Sequence, residues 1–386
     1  MSRTYAIFSA QYLPHVGGVE TFTANLAHQL VLGGDGVCVV TSARAGAPEV
    51  ETQEDGVRIV RLPSTQLMGG RLPLSRHGSR ERSLLSAVSG LGVDRVLVNT
   101  RFYGTSVTGL RFAREHDLPA VLLDHGSAWL TFGCGAVPDA AAHAWERHMT
   151  ARDVSLGATF AGISEKSAAW LSTFGIKTSL VIPNAIDAAA FRGESSGRDF
   201  RFELGIPNDK TLVVFVGRLA PEKGPERLLA AMGQLGEKYA CVLAGEGALR
   251  PQLERDLPAN AHLVGNLGHA DLSALLSQTD VFCLPTRSEG FCTSLLEAGA
   301  WGVPCVVPDV GGAREVLCHG GNTFGCITPD REPATMAEGI RQVLASWTSG
   351  RSQELQAHVE RDLSWAKTAQ ALEHAFAQAR RGSLGV

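Results

Sequence analysis

The sequence predicts an α/β protein made of two consecutive doubly wound domains, and three observations carry that prediction. Short, continuously apolar, β-branched runs alternate with amphipathic segments, as a parallel sheet covered by helices requires. The alternation stops near residue 184 and restarts near 211, so one βα series follows another. With 386 residues the chain can bury two large cores, and its 43 glycines exceed the roughly 7% usual in globular chains. That excess points to tight turns and to close approach of backbone to ligand.

In the first series, YAIFSA (5–10), GVCVVT (36–41), VRIVRL (57–62), DRVLVN (94–99) and PAVLLD (119–124) read as strands. GATFAGIS (157–164) and SLVIPN (179–184) extend it. The intervening VETFTANLAHQL places Val19, Phe22, Leu26 and Leu30 on one helical stripe. Residues 185–210 are small, polar and glycine-dotted, which reads as an interdomain linker. The second series comprises TLVVFVG (211–217), ACVLAGE (240–246), AHLVG (261–265), DVFCLP (280–285) and PCVVP (304–308). The expected domains are therefore 1–190 and 191–365, with ligand bound at strand ends in a cleft between them. Residues 366–386 are expected to form a covering helix that packs back on the first domain.

Composition narrows the function. Residues 1–190 carry 16 basic and 16 acidic residues, residues 191–386 carry 19 and 23, and neither half has the basic balance of a nucleic-acid binder. The eight cysteines form no C-x-x-C pair, and Cys38, Cys241, Cys283 and Cys305 lie in apolar runs, so reduced thiols in a cytoplasmic protein are expected and no zinc site of the usual spacing. No signal peptide and no run of about 18 apolar residues is read in the chain.

Three segments could carry chemistry. In PHVGGVETF, Gly17 and Gly18 leave bare backbone where a helix begins, a position suited to an anion. In FVGRLAPEKG, Arg218 and Lys223 flank a turn and can converge on a diphosphate. In LPTRSEGFCTSLLEAGAWGVPCVVPDVGG, Glu289 sits in a loop and Glu297 lies eight residues later on a helix that Thr293 or Ser294 can cap. Carboxylates so placed accept sugar hydroxyls. A fourth turn, AGEGALR with Gly245, lacks the third glycine of a dinucleotide fingerprint. Read alone, the glycine pair fits an ordinary strand–helix turn and the charged residues fit solvated surface groups.

Taken in order, GGVE (17–20), DHG (124–126), IPNAID (182–187), GRLAPEKG (217–224) and E-x7-E (289–297) resemble the retaining glycosyltransferases of family 4, which have the GT-B fold. The resemblance implies a nucleotide-diphosphate sugar as donor and no cofactor. It implies that Arg218 and Lys223 hold the diphosphate, that Glu297 receives the ribose and that Glu289 lies near the transferred sugar. It also implies that backbone at Gly290, Phe291, Cys292 and Gly245 approaches the donor, that Gly17 and Gly18 close over the diphosphate, and that His125 reaches the sugar. Cys292 stands where the family often has glycine. No D-x-D occurs, so side-chain cations are expected to replace a divalent ion on the diphosphate, and no metal ligands are singled out.

The resemblance leaves the acceptor as a saccharide or a lipid-linked saccharide of a cell-surface glycan. Residues 58–82 hold six arginines (58, 61, 71, 76, 80, 82) with Leu67, Met68, Leu72 and Leu74, which reads either as a patch for anionic membrane at the cytoplasmic face or as a solvated loop. Alternatives on the same fold are a nucleotide-sugar epimerase or a related enzyme, or a non-catalytic subunit.

Overall fold

The computed structural model describes residues 2–15, 17–67, 72–130 and 135–382. Val16, Met68, Arg71 and Cys134 lie outside the described residues. The chain divides into two compact units, one of residues 1–184 with 365–386, the other of residues 185–364.

The first unit runs β1 (Thr4–Ser9), α1 (Gly18–Leu32), β2 (Gly36–Ser42), β3 (Val50–Thr52) and β4 (Arg58–Leu62), then β5 (Ser64–Leu67) and β6 (Leu72–Ser75). It continues with α2 (Ser79–Ser89), β7 (Arg95–Asn99), α3 (Gly104–Glu115), β8 (Ala120–Asp124), α4 (Ala136–Ser155), β9 (Thr159–Gly162) and α5 (Glu165–Trp170). Seven strands form one sheet in the order β3-β4-β2-β1-β7-β8-β9, parallel except for β3 against β4. Ile7 of β1 lies beside Val39 of β2 and Leu97 of β7, all fully buried, so the apolar runs are sheet interior with helices on both faces.

The second unit opens with α6 (Ala188–Gly193) and α7 (Phe200–Glu203). Then follow β10 (Thr211–Val216), α8 (Pro225–Leu235), β11 (Tyr239–Ala244), α9 (Arg250–Arg255), β12 (Ala261–Gly265), α10 (His269–Ser277), β13 (Val281–Cys283), α11 (Thr293–Ala300), β14 (Cys305–Pro308) and α12 (Ala313–Leu317). A small hairpin of β15 (Cys318–His319) and β16 (Asn322–Thr323) precedes β17 (Gly325–Thr328), α13 (Pro333–Ser346) and α14 (Ser349–Asp362). Its six-stranded sheet, β12-β11-β10-β13-β14-β17, is parallel throughout. The chain then rejoins the first unit as α15 (Trp365–Gly382), where Phe376 packs on Tyr5 and Glu373 pairs with Arg3 at 2.7 Å and with Arg95.

Three expectations are corrected. SLVIPN is not a strand: only a single bridge, Val181 to Gly162, joins it to the sheet. Residues 185–210 are not a loose linker, because they hold α6 and α7, and Phe191 and Phe200 are buried to about 1% exposure. Two aromatic anchors outweigh the polar, glycine-dotted texture around them. The division also falls at 184/185 and 364/365 rather than at 190/191 and 365/366.

Candidate active site

In the first unit, a cavity of about 190 Å³ opens at the C-terminal ends of β1, β7 and β8, lined by Gln11, Glu20, Asn99, Thr100, Tyr103 and His125, among others. Of the residues predicted from sequence, His125 lines it, and Gly17 and Gly18 precede its lining residues Val19 and Glu20. Gly17 is the N-cap of α1, with extended backbone (φ −162°) and no side-chain cap. The first-turn N–H groups of α1, including that of Gly18, therefore have no intrahelical acceptor. A Cβ on Gly17 would lie 2.4 Å from Glu20 Oε2, and one on Gly18 would meet nothing within 4 Å. Glu20 itself is buried and pairs with His15 at 3.2 Å.

A chain of hydrogen bonds fixes His125. The Thr23 hydroxyl donates to the Val19 carbonyl at 2.6 Å, the Asn99 amide donates to Thr23 Oγ1 at 2.8 Å, and His125 Nε2 lies 3.1 Å from Asn99 Oδ1. Since Asn99 Oδ1 can only accept, His125 carries its proton on Nε2, and Nδ1 is left as an acceptor. Burial pushes the imidazole pKa down to about 3, so the ring is neutral at physiological pH, and it stands edge-on to Phe22. A neutral imidazole can bind a hydroxyl but cannot offset a developing phosphate charge.

Beneath His125 lies a buried charge cluster that the sequence reading missed. Arg101, with no exposed surface, pairs with Asp124 at 3.3 Å and with Glu146 at 2.7 Å, and its guanidinium lies 4.0 Å from the Phe174 ring centroid. Burial raises Asp124 to about 6 and nearby Asp153 to about 8. The flanking residues Thr100 (φ 69°) and Phe102 (φ 42°) take left-handed backbone, which is rare outside glycine and most costly for a β-branched residue. The Thr100 hydroxyl is buried without a hydrogen-bond partner among the described residues, and the residue lines the cavity. The signal available was position: N-T-R-F-Y-G follows directly on a strand end.

In the second unit, the turn before α8 and the loop before α11 meet. Gly224 is left-handed (φ 70°), and a Cβ there would lie 2.4 Å from the Pro285 carbonyl oxygen. Arg287 N–H donates to the Glu222 carbonyl at 2.7 Å, which straps the two loops together. Lys223 Nζ consequently reaches Glu289 Oε1 at 2.5 Å, with both side chains mostly buried. Loop 289–292 in turn rests on the next glycine pair, since Cβ atoms at Gly311 and Gly312 would lie 2.3 and 2.4 Å from the carbonyl oxygens of Gly290 and Phe291. Two uncapped helix N-termini, those of α8 and α11, thus open beside one lysine.

Cys292 explains its own departure from the family pattern. It is the N-cap of α11 with φ 51°, the conformation glycine adopts without strain, and its thiol is pushed up to about 12 by burial and by Glu289. The expected cap by Thr293 or Ser294 is absent, because the helix begins at Thr293 and its cap position falls on Cys292. Glu297 lies on α11, has no side-chain partner among the described residues, and is raised to about 7 by burial alone. Gly245 has a packing reason of its own: φ is 142°, and a Cβ would stand 2.0 Å from the Gly217 carbonyl oxygen.

Arg218 departs from expectation. Its guanidinium pairs with Glu222 at 3.0 Å and is 60% exposed, and no described contact joins it to Lys223 and Glu289. Exposed i,i+4 pairs hold weakly, so the arm is free to leave for a ligand. The arginine-rich segment is also not one basic face. Arg61 is buried and binds the Pro48 and Leu13 carbonyls and Glu51, Arg80 pairs with Glu49, and the exposed remainder includes Arg76 and Arg82, with Leu67 and Leu74 on the β5–β6 hairpin. Among the described residues no helix is long and apolar enough to cross a membrane.

Comparison with known proteins assigns the family. The model for glycosyl transferases group 1 matches residues 197–360, and that for glycosyltransferase family 4 matches residues 16–190. A GDP-mannose-dependent alpha-mannosyltransferase of Mycolicibacterium smegmatis is 31% identical over 88% of this chain and 91% of its own. The chain belongs to the family 4 glycosyltransferases. A D-inositol 3-phosphate glycosyltransferase of Xylanimonas cellulosilytica is 26% identical over 95% of this chain and 92% of its own. Among solved structures, sucrose-phosphate synthase from Thermosynechococcus elongatus superposes with a TM-score of 0.75 at 19% identity, over 98% of this chain and all of that one. Anabaena HepE in complex with UDP and glucose gives 0.68 at 18% identity, over 97% of this chain and all of that one. The two Rossmann-like units of this glycosyltransferase are those of the GT-B fold.

Proposed function

We propose that this family 4 glycosyltransferase moves a hexose from a nucleotide-diphosphate donor to a saccharide or lipid-linked saccharide, with retention at the anomeric carbon and no divalent ion on the diphosphate. The observation that carries the reading is Lys223, held against Glu289 where α8 and α11 open. The bond from C1 to the diphosphate oxygen breaks, and negative charge grows on that oxygen. Lys223, the helix N-termini and an Arg218 swung from Glu222 oppose that charge. The new bond joins C1 to an acceptor oxygen, and the acceptor's proton passes to the leaving phosphate.

Glu297 accepts the ribose hydroxyls, which supply donors to its half-buried carboxyl. His125 Nδ1 and the unpaired Thr100 hydroxyl read sugar hydroxyls. A second cavity of the first unit, about 380 Å³ and lined by Gln11, His15, Thr41, Arg44 and Gln66 among others, takes the acceptor. GDP-mannose is the donor to try first, because the relative at 31% identity is named for it.

The test is a transfer assay with GDP-mannose and UDP-glucose over a panel of saccharide acceptors, run with and without EDTA, with the product anomer read by NMR. Transfer of one sugar with its α configuration kept, at an unchanged rate in EDTA, is the expected result. Abolition by EDTA, or an inverted product, overturns the reading.

A further inference from the structure

Away from the donor loops, the second unit holds a cluster of two imidazoles and a carboxylate. His319 ends the first strand of the β15–β16 hairpin, while His358 and Asp362 lie four apart on one face of α14. One ligand atom from each lies within 4.8 Å of the others. We propose that His319, His358 and Asp362 bind one divalent transition-metal ion of zinc-like chemistry, as a clip between the hairpin and α14.

The argument rests on His358. Only 4% of it is exposed, and its Nε2 lies 3.0 Å from the Glu315 carbonyl, so Nε2 is the protonated nitrogen. Its Nδ1 then faces Asp362 Oδ2 at 3.0 Å. In the neutral ring these are two acceptors in contact, and only a cation between them, a proton or a metal ion, makes the contact favourable. A backbone carbonyl fixing the far nitrogen is also the arrangement that orients histidine ligands.

The His319 ring stacks on His358, with centroids 4.2 Å apart and planes at 22°, and its Nδ1 is 3.7 Å from the same carboxylate oxygen. Two stacked imidazoles repel when both are protonated, whereas one metal ion serves both as neutral ligands. Ligand atoms around tetrahedral zinc stand about 3.3 Å apart and each imidazole binds in its own ring plane, so metal uptake turns the exposed His319 ring out of the stack to complete the set. Two nitrogens and one carboxylate oxygen suit zinc better than magnesium.

Arg361 is the resident cation. Its guanidinium donates to Asp362 Oδ2 at 2.7 Å and to His319 Nε2 at 3.1 Å, but it is 59% exposed and can swing away. Metal uptake displaces Arg361, moves the His319 proton from Nδ1 to Nε2, and releases any proton held between His358 and Asp362. The clip bears on the donor machinery only through packing. A Cβ at Gly299 of α11 would come within 2.8 Å of Val359 on α14, so α14 buttresses the helix that carries Glu297.

The experiment titrates untagged, EDTA-stripped full-length protein with zinc chloride by calorimetry, with magnesium chloride in parallel, and follows the melting midpoint. Expected are one zinc per chain, no magnesium uptake and a raised midpoint. His319→Ala, at a half-exposed position, keeps the metal-free midpoint and weakens zinc by about tenfold or more. Arg361→Ala, which removes the competitor, tightens it. Zinc uptake equal in His319→Ala and wild type, equal uptake of magnesium, or no uptake at all overturns the proposal. Transfer is not the readout, so failure here leaves the donor site untouched.

Discussion

The two units handle charge in opposite ways. In the first, His125 on the cavity is uncharged through burial, and the buried guanidinium of Arg101 beside it is spent on Asp124 and Glu146. In the second, charge lies at the loop ends: Lys223 is paired with Glu289, Arg218 is held only by an exposed partner, and Glu297 awaits donors. Under the proposed function the contrast is a division of labour, in which neutral groups would discriminate hydroxyls and charged groups would bear the departing phosphate. Both sites sit at C-terminal strand ends, so the fold supplies the same platform and the side chains decide its use.

The largest effect breaks the first unit. Arg101→Met leaves Asp124 and Glu146 buried without their cation, and denaturant unfolding should lose about 3–5 kcal/mol. A loss under about 1 kcal/mol would mean that the cluster does not hold up the strand end carrying His125.

The smaller effect sharpens the second unit. Glu297 titrates near 7 in the folded protein against 4.5 for an ordinary glutamate. A raised carboxyl favours the folded state below its unfolded pKa, and that contribution is lost as pH climbs through 7. Nucleotide binding needs the ionised form, so it runs the other way: affinity for a nucleoside diphosphate should fall about tenfold from pH 8 to pH 6. Glu297→Gln should bind more weakly and flatten that profile. A slope that survives the substitution would assign the titration to another group.

The fold was legible because parallel strands buried on both faces leave long apolar runs, as at Ala6–Phe8 and Leu212–Phe215. Residues 185–210 were not, because Phe191 and Phe200 anchor two short helices whose neighbours look like linker. Of the site, Lys223 and Glu289 were each singled out but not as a pair, since 66 residues separate them and Gly224 and the Glu222–Arg287 strap bring them together. The Arg218–Glu222 pair was not read, because spacing around a turn does not say which carboxylate a flexible arm prefers. Asn99 and Arg101 escaped notice because strand-end polar residues carry no motif. His319 escaped too, since its partners lie on a helix about 40 residues further along the chain.

The account depends most on the claim that the diphosphate is bound by the second unit's cations while the first unit's histidine stays uncharged. Titration of GDP and UDP into wild type, Lys223→Ala and His125→Ala by calorimetry tests it directly. Removal of Lys223 should weaken the preferred nucleotide by about 2 kcal/mol or more, the scale of a lost charge-assisted contact, and removal of His125 should leave it nearly unchanged. Unchanged affinity in Lys223→Ala, with a collapse in His125→Ala, would contradict the account.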